Sequence, residues 1–75
     1  MEAIKFTVVY HNINDDAECQ DVMYTIEPAS VIDHALENVK EDEYAYITWV
    51  HPQRAAEETY AIITYPERNV LVTKE

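Results

Sequence analysis

The sequence predicts an α+β domain in which one antiparallel or mixed sheet of five strands carries a single helix on one face. Two observations support this prediction. Apolar and polar side chains alternate with the period of two that is typical of strands in five segments, whereas only one segment has the helical spacing of i, i+3, i+4 and i+7. The predicted order is β-β-α-β-β-β, and 75 residues leave room for one domain, residues 1–75.

The first two strands are predicted to form a hairpin. On one face the first strand carries Ile4, Phe6, Val8 and Tyr10. The polar segment 11–18 then breaks the alternation, and its Asn and Asp residues tolerate the left-handed backbone that glycine would otherwise supply. The second strand carries Val22, Tyr24 and Ile26 on one face and Met23, Thr25 and Glu27 on the other, and ends at Pro28.

The helix is predicted over about residues 29–42, because the apolar period changes there. Its stripe consists of Ile32, Ala35, Leu36 and Val39. Ser30, with Asp33 three residues later, is the expected N-terminal cap. A helix of this length would place Asp33, Glu37 and Glu41 in one row.

The last three strands are predicted at residues 44–50, 59–65 and 70–73. In the first of these, Ile47 and Trp49 lie on the face opposite Tyr44 and Tyr46. Residues 53–58 are expected to be a loop with some helical character, and residues 66–69 a tight turn. One helix covers only one face of such a sheet, so the other face is expected to be uncovered.

The composition excludes several function classes. Fifteen Asp and Glu residues against five Lys and Arg give a net charge of −10, and glycine is absent. Without glycine the chain has no Walker loop, dinucleotide-binding turn or nucleophile elbow. Direct binding to nucleic acid or to an anionic membrane is disfavoured, because both require a basic surface. The single Cys19, with no signal peptide or long apolar run, indicates a cytoplasmic protein.

The sequence has no recognisable catalytic or metal-binding motif. The three histidines lack the spacing of a zinc site, and Cys19 lies among acidic residues that blunt its reactivity. The acidic segment that begins at Asp15 lacks the ligand order of a calcium loop. We therefore expect a protein that is not an enzyme and has no cofactor or metal.

Carboxylates and tyrosines are the candidate partner-binding residues. The acidic candidates are Asp33, Glu37, Glu41, Asp42 and Glu43 in and after the helix, and Asp15, Asp16, Glu18 and Asp21 around the first turn. Like charges in a row, and acids at a helix C-terminus, cost stability, which suggests a functional reason for them; an acidic solvated face kept for solubility is the alternative. Tyr44 and Tyr46 are the expected anchors for an arginine-rich partner, core packing being the alternative.

In size, acidity and α+β architecture the chain resembles small phage-encoded inhibitors of host defence, of the anti-restriction and anti-CRISPR type. The resemblance is one of composition. It implies a DNA mimic that inhibits a basic nucleic-acid-binding effector or nuclease in the bacterial cytoplasm. The alternative function is an adaptor or assembly protein, monomeric or homodimeric, that binds through a sheet edge or face. A small enzyme or ligand-sequestering domain would require a pocket.

Overall fold

The computed structural model describes residues 3–51, 53–64 and 70–72, which form one five-stranded sheet and one helix. The strands are β1 (Ile4–Asn12), β2 (Glu18–Thr25), β3 (Glu43–Val50), β4 (Glu57–Ile63) and β5 (Val70–Val72), and the helix α1 (Pro28–Asn38) lies between β2 and β3. All neighbouring strands are antiparallel. The predicted α+β class and the order β-β-α-β-β-β are confirmed.

The strand order in the sheet is β2-β1-β3-β4-β5, so that β1 lies between β2 and β3. Because both neighbours are antiparallel to β1, they run parallel to each other, and α1 crosses the sheet between them. The β1–β2 turn and the α1–β3 connection therefore meet at the same end of the sheet. There the backbone N–H of Ile13 donates a hydrogen bond to the carbonyl oxygen of Asp42 at 2.8 Å.

The core lies between α1 and one face of the sheet. Its fully buried large side chains are Phe6, Val8, Val31, Ile47 and Ile63. Around Phe6, the rings of Trp49 and Tyr60 lie with their centroids 5.7 Å from the Phe6 ring. The predicted inward faces of β1 and β3 are confirmed, since burial of these apolar side chains is what fixes the register of both strands.

The predicted end of the helix is wrong. The helix ends at Asn38, and the next residue, Val39, has an extended backbone with φ −68° and ψ 132°. In the connection that follows, the Glu43 carboxylate accepts a hydrogen bond from the backbone N–H of Lys40 at 2.9 Å. This local bond offers the backbone an alternative to another helical turn, and the macrodipole disfavours further acids at this end.

The shorter helix changes the acidic row. Glu41 lies in the α1–β3 connection, so only Asp33 and Glu37 remain on the helix. Asp42 adopts φ 67°, a left-handed conformation that short polar side chains tolerate. The acids after the helix therefore belong to a loop and to the start of β3.

The predicted N-terminal cap and apolar stripe also differ from the structure. The N-cap residue is Glu27, whose side chain makes no capping hydrogen bond, and Ser30 lies inside the first turn. Proline is favoured at the first helical position because its missing N–H would be unpaired there in any case. The buried helical residues are Val31 and Ala35, so the stripe is rotated and Ile32 and Leu36 lie at its half-buried margin.

The edge strand β2 and the segments that follow β3 differ from the prediction in their details. In β2, Met23 packs on the core, whereas Val22 and Tyr24 are exposed on the opposite face. Residues 53–54 form a turn, no helix is assigned within 53–58, and β4 begins at Glu57, two residues earlier than predicted. The predicted turn at 66–69 lies outside the described residues.

Candidate binding surface

Six carboxylates gather at one end of the sheet, which we call the acidic end. They are Asp15, Asp16 and Glu18 of the β1–β2 turn and the start of β2, and Glu41, Asp42 and Glu43 of the α1–β3 connection and the start of β3. The hydrogen bond from Ile13 to Asp42 joins the two segments. In residues 12–18 and 39–43, Lys40 is the one lysine or arginine.

Side-chain hydrogen bonds shape the β1–β2 turn without glycine. The Asn12 side-chain oxygen accepts from the backbone N–H groups of Asn14 and Asp15 at 2.8 and 3.2 Å. Asp15 accepts in turn from the N–H of Ala17 at 3.0 Å. The left-handed residue of the turn is Asp16, with φ 60°. The two aspartates thus fix the backbone of the acidic end as well as charging it.

His11 connects this turn to the sheet face that α1 leaves uncovered. Its Nδ1 lies 2.9 Å from Glu18 Oε2, its Nε2 lies 3.2 Å from Asp16 Oδ1, and its ring centroid lies 5.1 Å from that of Tyr44. A neutral imidazole has one N–H, so only the doubly protonated ring donates to both carboxylates. The hydrogen bond to Glu18 contributes most to raising the pKa of His11 above its ordinary value, and that to Asp16 adds to it.

Sequence reasoning missed His11 as a site residue. Its residue type suggests a zinc ligand or a catalytic partner of Cys19, and nothing in its local sequence points to Glu18. The signal lies in the strand pairing, because His11 is opposite Glu18 on β2 and opposite Tyr44 on β3. Residues opposite each other on neighbouring strands share a face, so this cluster becomes visible only once the register is known.

Tyr44 and Tyr46 lie on the uncovered face, as their alternation with Ala45 and Ile47 predicts. Both are half-buried, and their ring centroids are 6.3 Å apart. Burial raises the pKa of Tyr46, and the nearby Glu18 carboxylate raises it further. The predicted placement of both tyrosines on the face opposite Ile47 is confirmed, whereas their role as anchors stays a prediction.

A shallow groove of about 320 Å³ continues from Tyr46 across the uncovered face. Its other lining residues are Thr7, Val9, Gln20, Thr48, Glu57, Glu58 and Thr59. Both glutamates in it are engaged: Glu57 accepts from the Thr48 hydroxyl at 3.2 Å, and Glu58 accepts two hydrogen bonds from Arg54 at 2.7 and 2.8 Å. Most of the side chains that line the groove are therefore polar.

The remaining candidate acids lie on the helix side of the molecule. Asp21 faces α1, and its Oδ2 lies 3.1 Å from Nε2 of His34. Asp33 and Glu37 are exposed on α1. The candidate residues are thus divided between the two faces of the sheet, with Asp16, Glu18, Tyr44 and Tyr46 on or beside the uncovered face and Asp21, Asp33, Glu37 and Glu43 on the helix side.

These features define a small acidic α+β protein with one uncovered sheet face. The chain matches no protein-family model, and comparison with curated proteins and with solved structures yields no significant match. Within the part of the chain that the structure describes, no helix has the length and apolar character needed to cross a bilayer. Over the same residues, no three His, Cys, Asp or Glu side chains are placed to hold a metal ion together.

Proposed function

We propose that this protein is a non-enzymatic inhibitor that occupies the nucleic-acid-binding surface of a basic protein, with its carboxylates in the place of phosphates. The observation that carries the proposal is the acidic end. Six carboxylates from two separate segments converge there, and the hydrogen bond between Ile13 and Asp42 fixes the segments to each other.

The charge of the chain supports the same partner. DNA presents a phosphate about every 3.4 Å along each strand, and proteins that bind it do so with clustered lysine and arginine. A protein of net charge −10 is attracted to such a surface and is repelled by nucleic acid itself. The resemblance to small phage-encoded inhibitors of host defence implies, within this class, a nuclease or a CRISPR or restriction effector in the bacterial cytoplasm as the partner.

The tyrosines give the proposed interface a second kind of contact. Tyr44 and Tyr46 present half-buried rings on the uncovered face, and His11 of β1 lies between Tyr44 and Glu18. An arginine that stacks on a tyrosine ring and pairs with a carboxylate gains from both contacts. The two rings would thus anchor an arginine of the partner while the acidic end sets its orientation.

Affinity capture tests the proposal. The immobilised protein is exposed to a bacterial lysate at about 0.1 M salt, and the bound proteins are eluted with salt or with excess duplex DNA. We expect nucleic-acid-binding proteins to be enriched and to be released by DNA and by about 0.5 M salt. Enrichment of acidic or membrane proteins, or retention that neither DNA nor salt affects, would contradict the proposal.

A second candidate function is an adaptor that binds through the uncovered face or through the β2 edge. The specific observation is that Val22, Tyr24 and Leu71 are 50%, 67% and 66% exposed on this face. Val22 and Tyr24 lie together on the edge strand β2, whereas Leu71 lies on the opposite edge strand β5, and exposed large apolar side chains such as the β2 pair mark interaction sites. This function predicts a homodimer or a complex that persists at about 0.5 M salt, which size-exclusion chromatography with light scattering measures.

A further inference from the structure

A cleft of about 160 Å³ opens on the helix side of the sheet, close to the C-terminal end of α1. It is lined by Tyr10, Cys19, Asp21, Asn38, Lys40 and Glu43. Three strands contribute to it, through Tyr10 of β1, Cys19 and Asp21 of β2 and Glu43 of β3. The volume is several times what one ordered water needs, so the cleft has room for the head group of a side chain.

The floor of this cleft contains an unpaired polar group. Tyr10 is 6% exposed, and its hydroxyl oxygen is buried without a hydrogen-bond partner among the described residues. Buried hydroxyl groups in proteins almost always have a partner, because an unpaired one loses its bonds to water and gains none. The Tyr10 hydroxyl is therefore uncommitted within the described fold and can pair with a polar group that enters the cleft.

Two carboxylates, those of Asp21 and Glu43, line the same cleft as Tyr10. Burial raises the pKa of Tyr10 to about 12, with the negative charges of Asp21 and Glu43 adding to it, so both carboxylates lie near the phenol and the phenol is neutral at physiological pH. Asp21 uses Oδ2 for His34, and Glu43 uses Oε1 for the backbone N–H of Lys40. Among the described residues, the second oxygen of each carboxylate has no hydrogen-bond partner.

The end of α1 adds negative potential to the same cleft. Its C-terminal carbonyl groups carry the negative end of the macrodipole, and its last turn contains no basic residue. Lys40 lies at the rim, is exposed, and makes no ion pair with any carboxylate that the structure describes. The cleft is therefore lined by two carboxylates, a phenol and a helix C-terminus, and Lys40, the one lysine or arginine among its lining residues, pairs with none of the described carboxylates.

We propose that this cleft binds the guanidinium group of an arginine side chain. A guanidinium has five N–H donors in a planar fork and no acceptor, which matches separate acceptor atoms on Asp21, Glu43 and Tyr10. The inference rests on the proposed function, in that the arginine is supplied by the basic partner. This arginine-binding site lies on the helix side of the sheet, whereas Tyr44 and Tyr46 lie on the other face.

Titration with a small arginine derivative tests this site without any partner protein. Backbone amide NMR spectra of the full chain are followed as N-acetyl-arginine amide is added, and N-acetyl-citrulline amide, its uncharged isostere, is the control probe. We expect saturable shifts at Cys19, Asn38 and Lys40 with the arginine derivative and none with the citrulline derivative. Shifts confined to the uncovered face, or equal shifts with both probes, would overturn the proposal.

Three variants identify the acceptor atoms. Asp21→Asn with Glu43→Gln keeps the side-chain shapes and is expected to weaken arginine binding by about tenfold or more, and Tyr10→Phe by several-fold. Glu27→Gln, at the opposite end of the sheet and outside both proposed binding sites, is the control and is expected to leave the affinity unchanged. Unchanged affinity in the folded double variant, judged by a native NMR spectrum, would overturn the site.

The outcomes of this titration and of the affinity capture are independent. If the cleft binds the arginine derivative but no nucleic-acid-binding protein is captured from the lysate, the site stands and the proposed function fails. If such a protein is captured and released by DNA while the cleft shows no binding, the proposed function stands and the arginine site is wrong.

Discussion

At the scale of single residues, His11 links the acidic end to the sheet. Its two ring nitrogens contact carboxylates from the turn and from β2, and its ring lies against Tyr44 of β3. The charge of this one side chain therefore decides how much of the negative charge of Asp16 and Glu18 is neutralised. The acidic end is expected to be more negative at high pH than at low pH for this reason as well as through ordinary titration.

The first prediction concerns the cause of the raised His11 pKa. Glu18→Gln removes the largest contribution and is expected to lower the pKa toward its ordinary value more than Asp16→Asn does. The measurement is an NMR titration of the His11 ring protons in wild type and both variants. A larger decrease in Asp16→Asn, or no decrease in either variant, would show that the contacts with Asp16 and Glu18 do not set the His11 charge.

The second prediction concerns stability and pH. Because the folded-state pKa of His11 is raised, its contribution to the free energy of unfolding is complete below the ordinary value of 6.5 and is lost as pH rises through the folded value. Urea unfolding of wild type and His11→Gln should therefore show a stability difference that shrinks from about pH 5.5 to about pH 9. A difference that stays constant or grows over this range would contradict the assignment.

At the scale of secondary structure elements, the N-terminus of α1 has no side-chain cap. Glu27 occupies the N-cap position without a capping hydrogen bond, while its carbonyl accepts from the N–H of Ser30 at 3.0 Å. Asp, Asn, Ser and Thr are the residues whose short side chains reach the free N–H groups of a first turn. The start of α1 therefore depends on Pro28 and on the packing of Val31.

The third prediction follows from this terminus. Glu27→Asp keeps the negative charge and shortens the side chain, so it is expected to stabilise the protein by about 1 kcal/mol. In a domain of this size such a gain raises Tm by about 4–8 °C, which a thermal melt monitored by circular dichroism detects. Glu27→Gln is the matched control and is expected to give no such gain. A lower Tm for Glu27→Asp would show that the longer side chain is required there.

Local pattern predicts much of this fold and less of its site. Alternation placed Phe6, Val8 and Ile47 inside and Tyr44 and Tyr46 on the opposite face, because a period of two follows from the strand itself. The end of α1 is followed by a hydrogen bond from the backbone N–H of Lys40 to the Glu43 carboxylate. This bond competes with a further helical turn, and it has no counterpart in the apolar periodicity of the sequence. The His11 cluster and the Tyr10 cleft depended on strand register, which pairs residues far apart in the sequence.

At the scale of the whole molecule, the charge is concentrated along the chain and in space. Ten of the fifteen acidic residues lie between Asp15 and Glu43, and the topology returns two of their segments to one end of the sheet. The opposite end, where β2 and β3 finish and β4 begins, holds Glu27 and Glu57. The affinity of a partner that binds through charge should therefore depend on where a charge reversal is made and not only on how many charges it changes.

The most direct test of the proposed inhibitor function compares two charge reversals of equal size. Glu37→Lys with Glu41→Lys changes the last turn of α1 and the acidic end, and Glu27→Lys with Glu57→Lys changes the opposite end. Each pair of substitutions makes the net charge less negative by four. The measurement is the affinity of each immobilised protein, at about 0.1 M salt, for the proteins of a bacterial lysate that bind heparin. We predict that the first pair weakens the DNA-competed binding by more than about tenfold and that the second pair leaves it near the wild-type level. Equal loss in both pairs, or full binding by the first pair, would contradict the account.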